Sequence, residues 1–130
     1  MSDYVESVRA ILEPFGKVEP IGKSFPVYKI ANIDVGLPRR ESKNAPGHKG
    51  FIVDGDPSMT IEEAARRRDF TVNAISWDPL TDEYFDPANG RVDLERKLLR
   101  VVDPATFGDD SLRVLRALRF CRDKCAALDL

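Results

Sequence analysis

Residues 60–69, TIEEAARRRD, constrain this chain more than any other stretch, because they set a helix at one end and discharge it at the other. Thr60 and Glu63 stand at capping-box spacing, in which each side chain satisfies the other's backbone N–H, so a helix is predicted to begin at Ile61. Arg66, Arg67 and Arg68 then fall at its C-terminal end, where the helix dipole favours positive charge. Asp69 follows at once, and behind it an apolar patch of Phe70, Val72 and Ala74. Asp69 and Asn73 lie at i,i+4 spacing, so a helical turn projects both from one face. A carboxylate and an amide so placed can read a pair of ribose hydroxyls while Arg68 takes a phosphate bidentately. The same letters also suit an exposed basic helix end closed by a capping Asp, and spacing alone leaves both readings open.

Upstream, Val5, Val8, Ile11 and Leu12 mark a helix closed by Pro14 and Gly16. Short runs rich in Val, Ile and Tyr at 17–21, 25–30 and 33–37 predict strands of one sheet, the last two joined tightly through Ala31-Asn32. Residues 38–51, PRRESKNAPGHKGF, are polar and broken by Pro and Gly, and predict a long mobile loop. Downstream, 75–77 and 83–85 predict two short strands around the turn DPLTD, and Asn89-Gly90 opens a helix over 92–99.

The last helix, about 109–124, is the most periodic. Val114, Ala117, Leu118, Cys121 and Cys125 fall on one side, with Arg113, Arg116 and Arg119 on the opposite part of the circumference. Asp109 and Asp110 open it, where carboxylates suit the dipole, and Arg113 follows within pairing distance. An ordinary capped helix with local ion pairs uses the same residues. In a dry cleft, however, an arginine offering two donors beside an accepting carboxylate imitates the Watson–Crick edge of a base.

A net charge of −2 excludes a generally basic nucleic-acid coat, so any RNA contact rests on local arginine clusters such as 66–68 and 113–122. Cys121 and Cys125, one helical turn apart with no second pair, suit a buried apolar role in a reducing compartment rather than a disulfide or zinc. The opening MSDYVESVRAIL has neither region of a signal peptide, and no apolar run reaches membrane-spanning length; the expected location is cytoplasmic.

RRDFTVNA (67–74) resembles the signature that follows the catalytic core in bacterial-type tRNA nucleotidyltransferases, the CCA-adding enzymes and their poly(A) polymerase relatives. GHKGF (47–51), DPANGRVDLERKLLR (86–100) and FGDDSLRVLRALRF (107–120) follow in that family's order and spacing, so the blocks cover nearly all of the chain from about residue 22. The resemblance implies an α/β (α+β) fold: a truncated nucleotidyltransferase head of the polymerase-β type with a small mixed sheet over 1–100, then the start of an all-helical neck over 101–130. It implies template-independent addition of C and A, from CTP and ATP, to a tRNA 3′ end. Poly(A) addition by a close relative, or a non-catalytic nucleotide- or tRNA-binding module, is the alternative.

Residue by residue, the resemblance gives base recognition to Asp110 and Arg113, with Asp109 standing where the family usually has Glu. It gives triphosphate or tRNA-backbone contacts to Arg116 and Arg119, the ribose to Asp69, the triphosphate to Arg68, and the holding of the turn to Asn73. Asp86, Gly90 and Asp93 match the family's hinge between head and neck, and the loop 39–51 matches a segment that helps switch from C to A addition. His48, the single histidine, reads as a loop residue.

Nucleotidyl transfer in the family uses Mg²⁺ held by an Asp-x-Asp pair that follows a glycine-rich turn. The opening residues offer Asp3 and Glu6 without such a strand or turn. Asp34 matches a third, metal-facing carboxylate or is an ordinary strand-end Asp, and a single carboxylate cannot hold a pair of ions. The expectation is therefore a fragment of a full enzyme; the other possibilities are half of a split enzyme completed by a partner chain, and a binding module. A sheet missing a central strand invites self-association.

Overall fold

A computed structural model describes the backbone of residues 3–22, 27–43, 51–123 and 127–129. Its elements form two compact units, one up to residue 59 and the other from residue 60 onward.

The first unit opens with α1 (Asp3–Leu12), followed by β1 (Glu19–Ile21), β2 (Val27–Ile30) and β3 (Ile33–Val35) in an antiparallel sheet of order β1-β2-β3. Ala31 and Asn32 take positive φ of 46° and 66°, the left-handed pair that a two-residue hairpin needs, so the predicted tight turn is present and registers Ile30 opposite Ile33. Val5 of α1 packs on Tyr28 and Leu37, and the Tyr28 hydroxyl donates to the Val5 carbonyl at 3.2 Å, which satisfies the polar end of that buried ring.

Residues 39–43, within the run 38–51 whose polarity suggested a loop, form a strand instead, and residues 51–55 form its partner. They pair as β4 (Arg39–Lys43) and β5 (Phe51–Gly55), an antiparallel ladder running from Arg39↔Gly55 to Lys43↔Phe51. Ladder hydrogen bonds belong to the backbone, so a charged run such as RRESK forms a strand once a partner lies alongside. Residues 44–50, with His48, lie outside the described residues.

The second unit starts at α2 (Ile61–Arg66), capped as expected: the Thr60 side chain accepts from the Glu63 N–H, and the Glu63 carboxylate from the Thr60 N–H. A single 3₁₀ turn over Thr71–Asn73 leads to the hairpin β6 (Ser76–Asp78) and β7 (Glu83–Phe85), close to its predicted position. The helix predicted over 92–99 is shorter and starts earlier, as α3 (Gly90–Glu95). Lys97 adopts a φ of 55°, which breaks the helix and releases β8 (Leu98–Arg100) as a strand. Then come α4 (Pro104–Phe107), α5 (Leu112–Asp123) and β9 (Ala127–Asp129), the last parallel to β8.

The core of this unit is Phe70, Leu99, Val101 and Ala117, with Phe107, Phe120 and Cys121 packed against it. Here the periodicity of α5 held only in part: Ala117 and Cys121 of the expected side do pack on the core, but Val114 and Leu118 are 51% and 63% exposed, while Arg113 and Phe120 are part-buried in their place. The inward face is thus turned by part of one residue's step around the helix, and keeps Ala117 and Cys121 in common with the predicted one. Apolar letters alone misplace it because its flank is an ion pair rather than a hydrocarbon contact. Cys121 packs on the core as a small apolar group, and Cys125 lies outside the described residues.

A candidate nucleotide-reading site on the arginine–aspartate turn

Asp69 is held where α2 gives way to the 3₁₀ turn, and it is almost fully buried. Its Oδ1 accepts from the Phe70 N–H at 2.8 Å and from the Asn73 amide at 3.2 Å, so the i,i+4 spacing does bring these two side chains together. Its Oδ2 accepts from Nε of Arg116 at 2.6 Å, a contact across 47 residues of sequence. Burial by itself pushes this carboxyl upward. The Asn73 amide, the Arg116 guanidinium and the Phe70 N–H outweigh burial and hold it below its ordinary range, so the group is a carboxylate at neutral pH.

Arg113 lies one turn before Arg116 on α5. Its Nη2 donates to the Arg67 carbonyl at 3.0 Å and its Nη1 to the Thr106 carbonyl at 3.1 Å. The carbonyl of Arg67 stands at the C-terminal end of α2, where the last carbonyls take partners from outside the helix. Asp110 sits at the start of α5, its carboxylate accepting from the Leu112 N–H at 3.0 Å, as a helix-opening Asp does. Asp109 is half-buried beside it. Arg68 and Arg119 are exposed. Among the sequence-derived site residues, then, Asp69, Asn73, Arg113 and Arg116 form one connected group, with the Asp110 carboxylate at the head of the same helix.

Asp86, Gly90 and Asp93 form a second constellation. The Asp86 carboxylate accepts from the Gly90 N–H at 2.6 Å and the Arg91 N–H at 3.0 Å, capping α3 from a turn in which Asn89 is left-handed. A Cβ on Gly90 would meet the Thr71 carbonyl oxygen at 2.0 Å, so only glycine permits this approach. Asp93 accepts from the Thr71 hydroxyl at 2.7 Å and from Nε of Arg100 at 3.2 Å. Burial pushes Asp93 upward too, and the hydrogen bonds of Thr71 and Arg100, with the charge of Arg96 behind them, hold its carboxyl below the usual value. Thr71 and Arg100 were not singled out by sequence. Thr71 meets Asp93 across 22 residues, and no local spacing signals such a pair.

Asp34 lies exposed on β3, opposite Lys29 in the register of the first unit. An Asp-x-Asp does occur later in that unit, at Asp54 and Asp56. Asp56 uses Oδ1 to accept from both the N–H and the hydroxyl of Ser58, the bonding of a turn rather than of an ion site. Among the described residues no group of three or more His, Cys, Asp or Glu is placed to hold a metal ion. The donor set of the described residues does not fit a Mg²⁺ pair. No described helix is long and apolar enough to cross a membrane.

Small two- and three-stranded sheets between short helices give the chain the mixed α/β fold of the CCA-adding enzymes, one of which, solved in an apo form, matches 99% of this chain at a TM-score of 0.71 and 25% identity. The chain belongs to the poly(A) polymerase head-domain family, which matches residues 24–100. It is 51% identical over 104 residues to the multifunctional CCA protein of Xanthomonas euvesicatoria pv. vesicatoria (strain 85-10), a match covering 78% of this chain and 25% of the relative. The chain thus spans about a quarter of the length of the curated relatives it matches. The Bacillus stearothermophilus CCA-adding enzyme, solved in complex with CTP, is similar over 95% of this chain and 29% of its own, at a TM-score of 0.67 and 28% identity. A tRNA nucleotidyltransferase solved with a primer tRNA and an incoming ATP analog matches 98% of this chain and 36% of its own, with a TM-score of 0.66 and 25% identity.

Proposed function

We propose that this chain serves template-independent nucleotide addition to a tRNA 3′ end, selecting CTP and ATP by side chains in place of a template base. The observation that carries the reading is the double tie of α5 to the turn after α2: Arg116 to the Asp69 carboxylate and Arg113 to the Arg67 carbonyl. It makes the residues assigned to the base and the residue assigned to the ribose parts of one packed unit, as reading both ends of a nucleoside requires. In this reading Asp110 and Arg113, with Asp109 beside them, take the base edge. Asp69 and Asn73 take the ribose, and Arg68 and Arg119 take phosphates. Arg113 uses two of its five N–H groups on carbonyls, which leaves donors for a base. Asp86, Gly90 and Asp93 anchor the joint between a head over 1–100 and a neck over 101–130, and the reaction belongs in the cytoplasm with its RNA.

The relatives solved with CTP and with a tRNA primer support nucleotide and tRNA as ligands. Two other readings are a non-catalytic nucleotide- or tRNA-binding module and half of a split enzyme that a partner chain completes; among the described residues no group of three or more acidic, His or Cys side chains is placed to hold the ions that transfer needs. The test is the purified chain with Mg²⁺, labelled CTP or ATP, and tRNA lacking its terminal CCA. Incorporation supports transfer by this chain or its oligomer. Saturable nucleotide binding without incorporation supports the module, and the absence of both defeats the nucleotide-reading role altogether.

A further inference from the structure

Among the described residues, three hydrogen bonds reach the Asp69 carboxylate. A carboxylate offers about four acceptor positions, two on each oxygen. Oδ1 spends both of its positions, on the Phe70 N–H and the Asn73 amide. Oδ2 spends one, on Nε of Arg116 at 2.6 Å. One acceptor position remains, on the oxygen that Arg116 holds.

Arg116 is itself fixed from below. Its guanidinium carbon lies 5.8 Å from the centre of the Phe120 ring, and Phe120 meets Phe70 edge to face with ring centres 5.5 Å apart. Phe70 is the residue next to Asp69, so Asp69, Arg116, Phe120 and Phe70 close a ring of contacts that sets the direction of Oδ2.

From this geometry we infer that Arg116 is a positioning residue, which aims the last acceptor position of Asp69 at a single hydroxyl of a nucleoside triphosphate, rather than a residue that grips the triphosphate itself. The inference rests on the nucleotide-reading role proposed above and deepens it. Asp69 reads one ribose hydroxyl, not two, and any contact with the neighbouring hydroxyl falls to the free side of the Asn73 amide. A phosphate would have to draw Arg116 away from a buried carboxylate that would then lack its cation, an exchange with an unfavourable term on the protein side.

The test compares the affinities of the whole chain for CTP, 2′-deoxy-CTP, 3′-deoxy-CTP and cytidine, in the wild type and in Arg116→Gln and Arg116→Lys. The wild type is expected to lose roughly tenfold or more in affinity on removal of one of the two hydroxyls, the scale of a hydrogen bond to a charged acceptor. Arg116→Gln is expected to collapse that ratio towards one while the preference for CTP over cytidine persists, and Arg116→Lys is expected to retain part of the ratio. A glutamine variant that weakens CTP and both deoxy analogues equally, with the CTP-over-cytidine preference lost, makes Arg116 a phosphate ligand and overturns the inference. So does an unchanged ratio, a lysine variant no better than the glutamine one, or a wild type that binds CTP without distinguishing its hydroxyls. A wild type that binds none of the four overturns the nucleotide-reading role and this inference together. Circular dichroism reports the folding of each variant, and the lysine variant carries the comparison where the glutamine variant does not fold.

Discussion

Two aspartates, Asp69 and Asp93, are the charged side chains buried among the described residues of the second unit, and each is matched by a guanidinium that stays partly in water. That asymmetry explains how the charge is tolerated. Arg116 and Arg100 keep 45% and 43% of their side-chain surface exposed, so only the carboxylates bear a full desolvation cost, and neutral donors from Phe70, Asn73 and Thr71 share in repaying it. The consequence is a definite pH dependence. Both carboxyls sit below the ordinary aspartate value in the folded protein, so each contributes stability that is present above that ordinary value and is lost as pH falls through the lower folded one. Chemical denaturation followed from neutral pH downward is therefore expected to show stability falling below about pH 4. Asp93→Asn is expected to flatten that fall and to cost about 1–3 kcal/mol at neutral pH, through the loss of charge-assisted bonds to Thr71 and Arg100. A variant as acid-sensitive as the wild type would remove Asp93 from the explanation.

At the scale of elements, α3 is held by its closeness to the turn over Thr71–Asn73 more than by its own six residues, too few for a helix to be stable alone. Gly90 makes this measurable. Replacing glycine by alanine in a helix ordinarily gains up to about 1 kcal/mol, but here the new Cβ would stand 2.0 Å from a backbone oxygen that no side-chain rotation can move. Overpacking of this kind costs about 3 kcal/mol, so Gly90→Ala is expected to lower the denaturation midpoint against the propensity trend. An unchanged midpoint would mean that α3 and the turn separate freely. The same elements show what the sequence makes legible. The capping box of α2 and the Ala31-Asn32 hairpin are local, their chemistry lying within a few residues, and both were readable in advance. The β4–β5 ladder was not, because backbone pairing leaves little mark on a polar strand, and the end of α3 was hidden in a left-handed Lys97 that composition does not announce. In the candidate site, Asp69 with Asn73 was visible as i,i+4 spacing. The reach of Arg116 to Asp69 across 47 residues was not, and the residues of that pair were assigned separate roles.

For the chain as a whole, the decisive quantity is apolar surface left in water. On α5, Val114, Leu115 and Leu118 are 51%, 63% and 63% exposed and form one face, away from the Arg113–Ala117–Phe120 side that packs on Phe70. Single exposed leucines are ordinary, but a contiguous helical stripe of them marks an interface. Each such side chain contributes about 1.5–3 kcal/mol when fully removed from water, so even partial burial of three against another copy offsets much of the entropy lost on association. The isolated 130-residue chain is accordingly expected to self-associate, with a sedimentation coefficient that rises with concentration across the micromolar range. Leu115→Glu with Leu118→Glu places charges in the middle of that stripe, outside the Asp69 contacts. The double variant is expected to sediment as a monomer with an unchanged far-ultraviolet circular dichroism spectrum. A wild-type chain that remains a sharp monomer at every concentration defeats this account of α5. Association that persists in the double variant moves the contact to another surface, for which the three-residue strands and their unpaired edges are the first candidates.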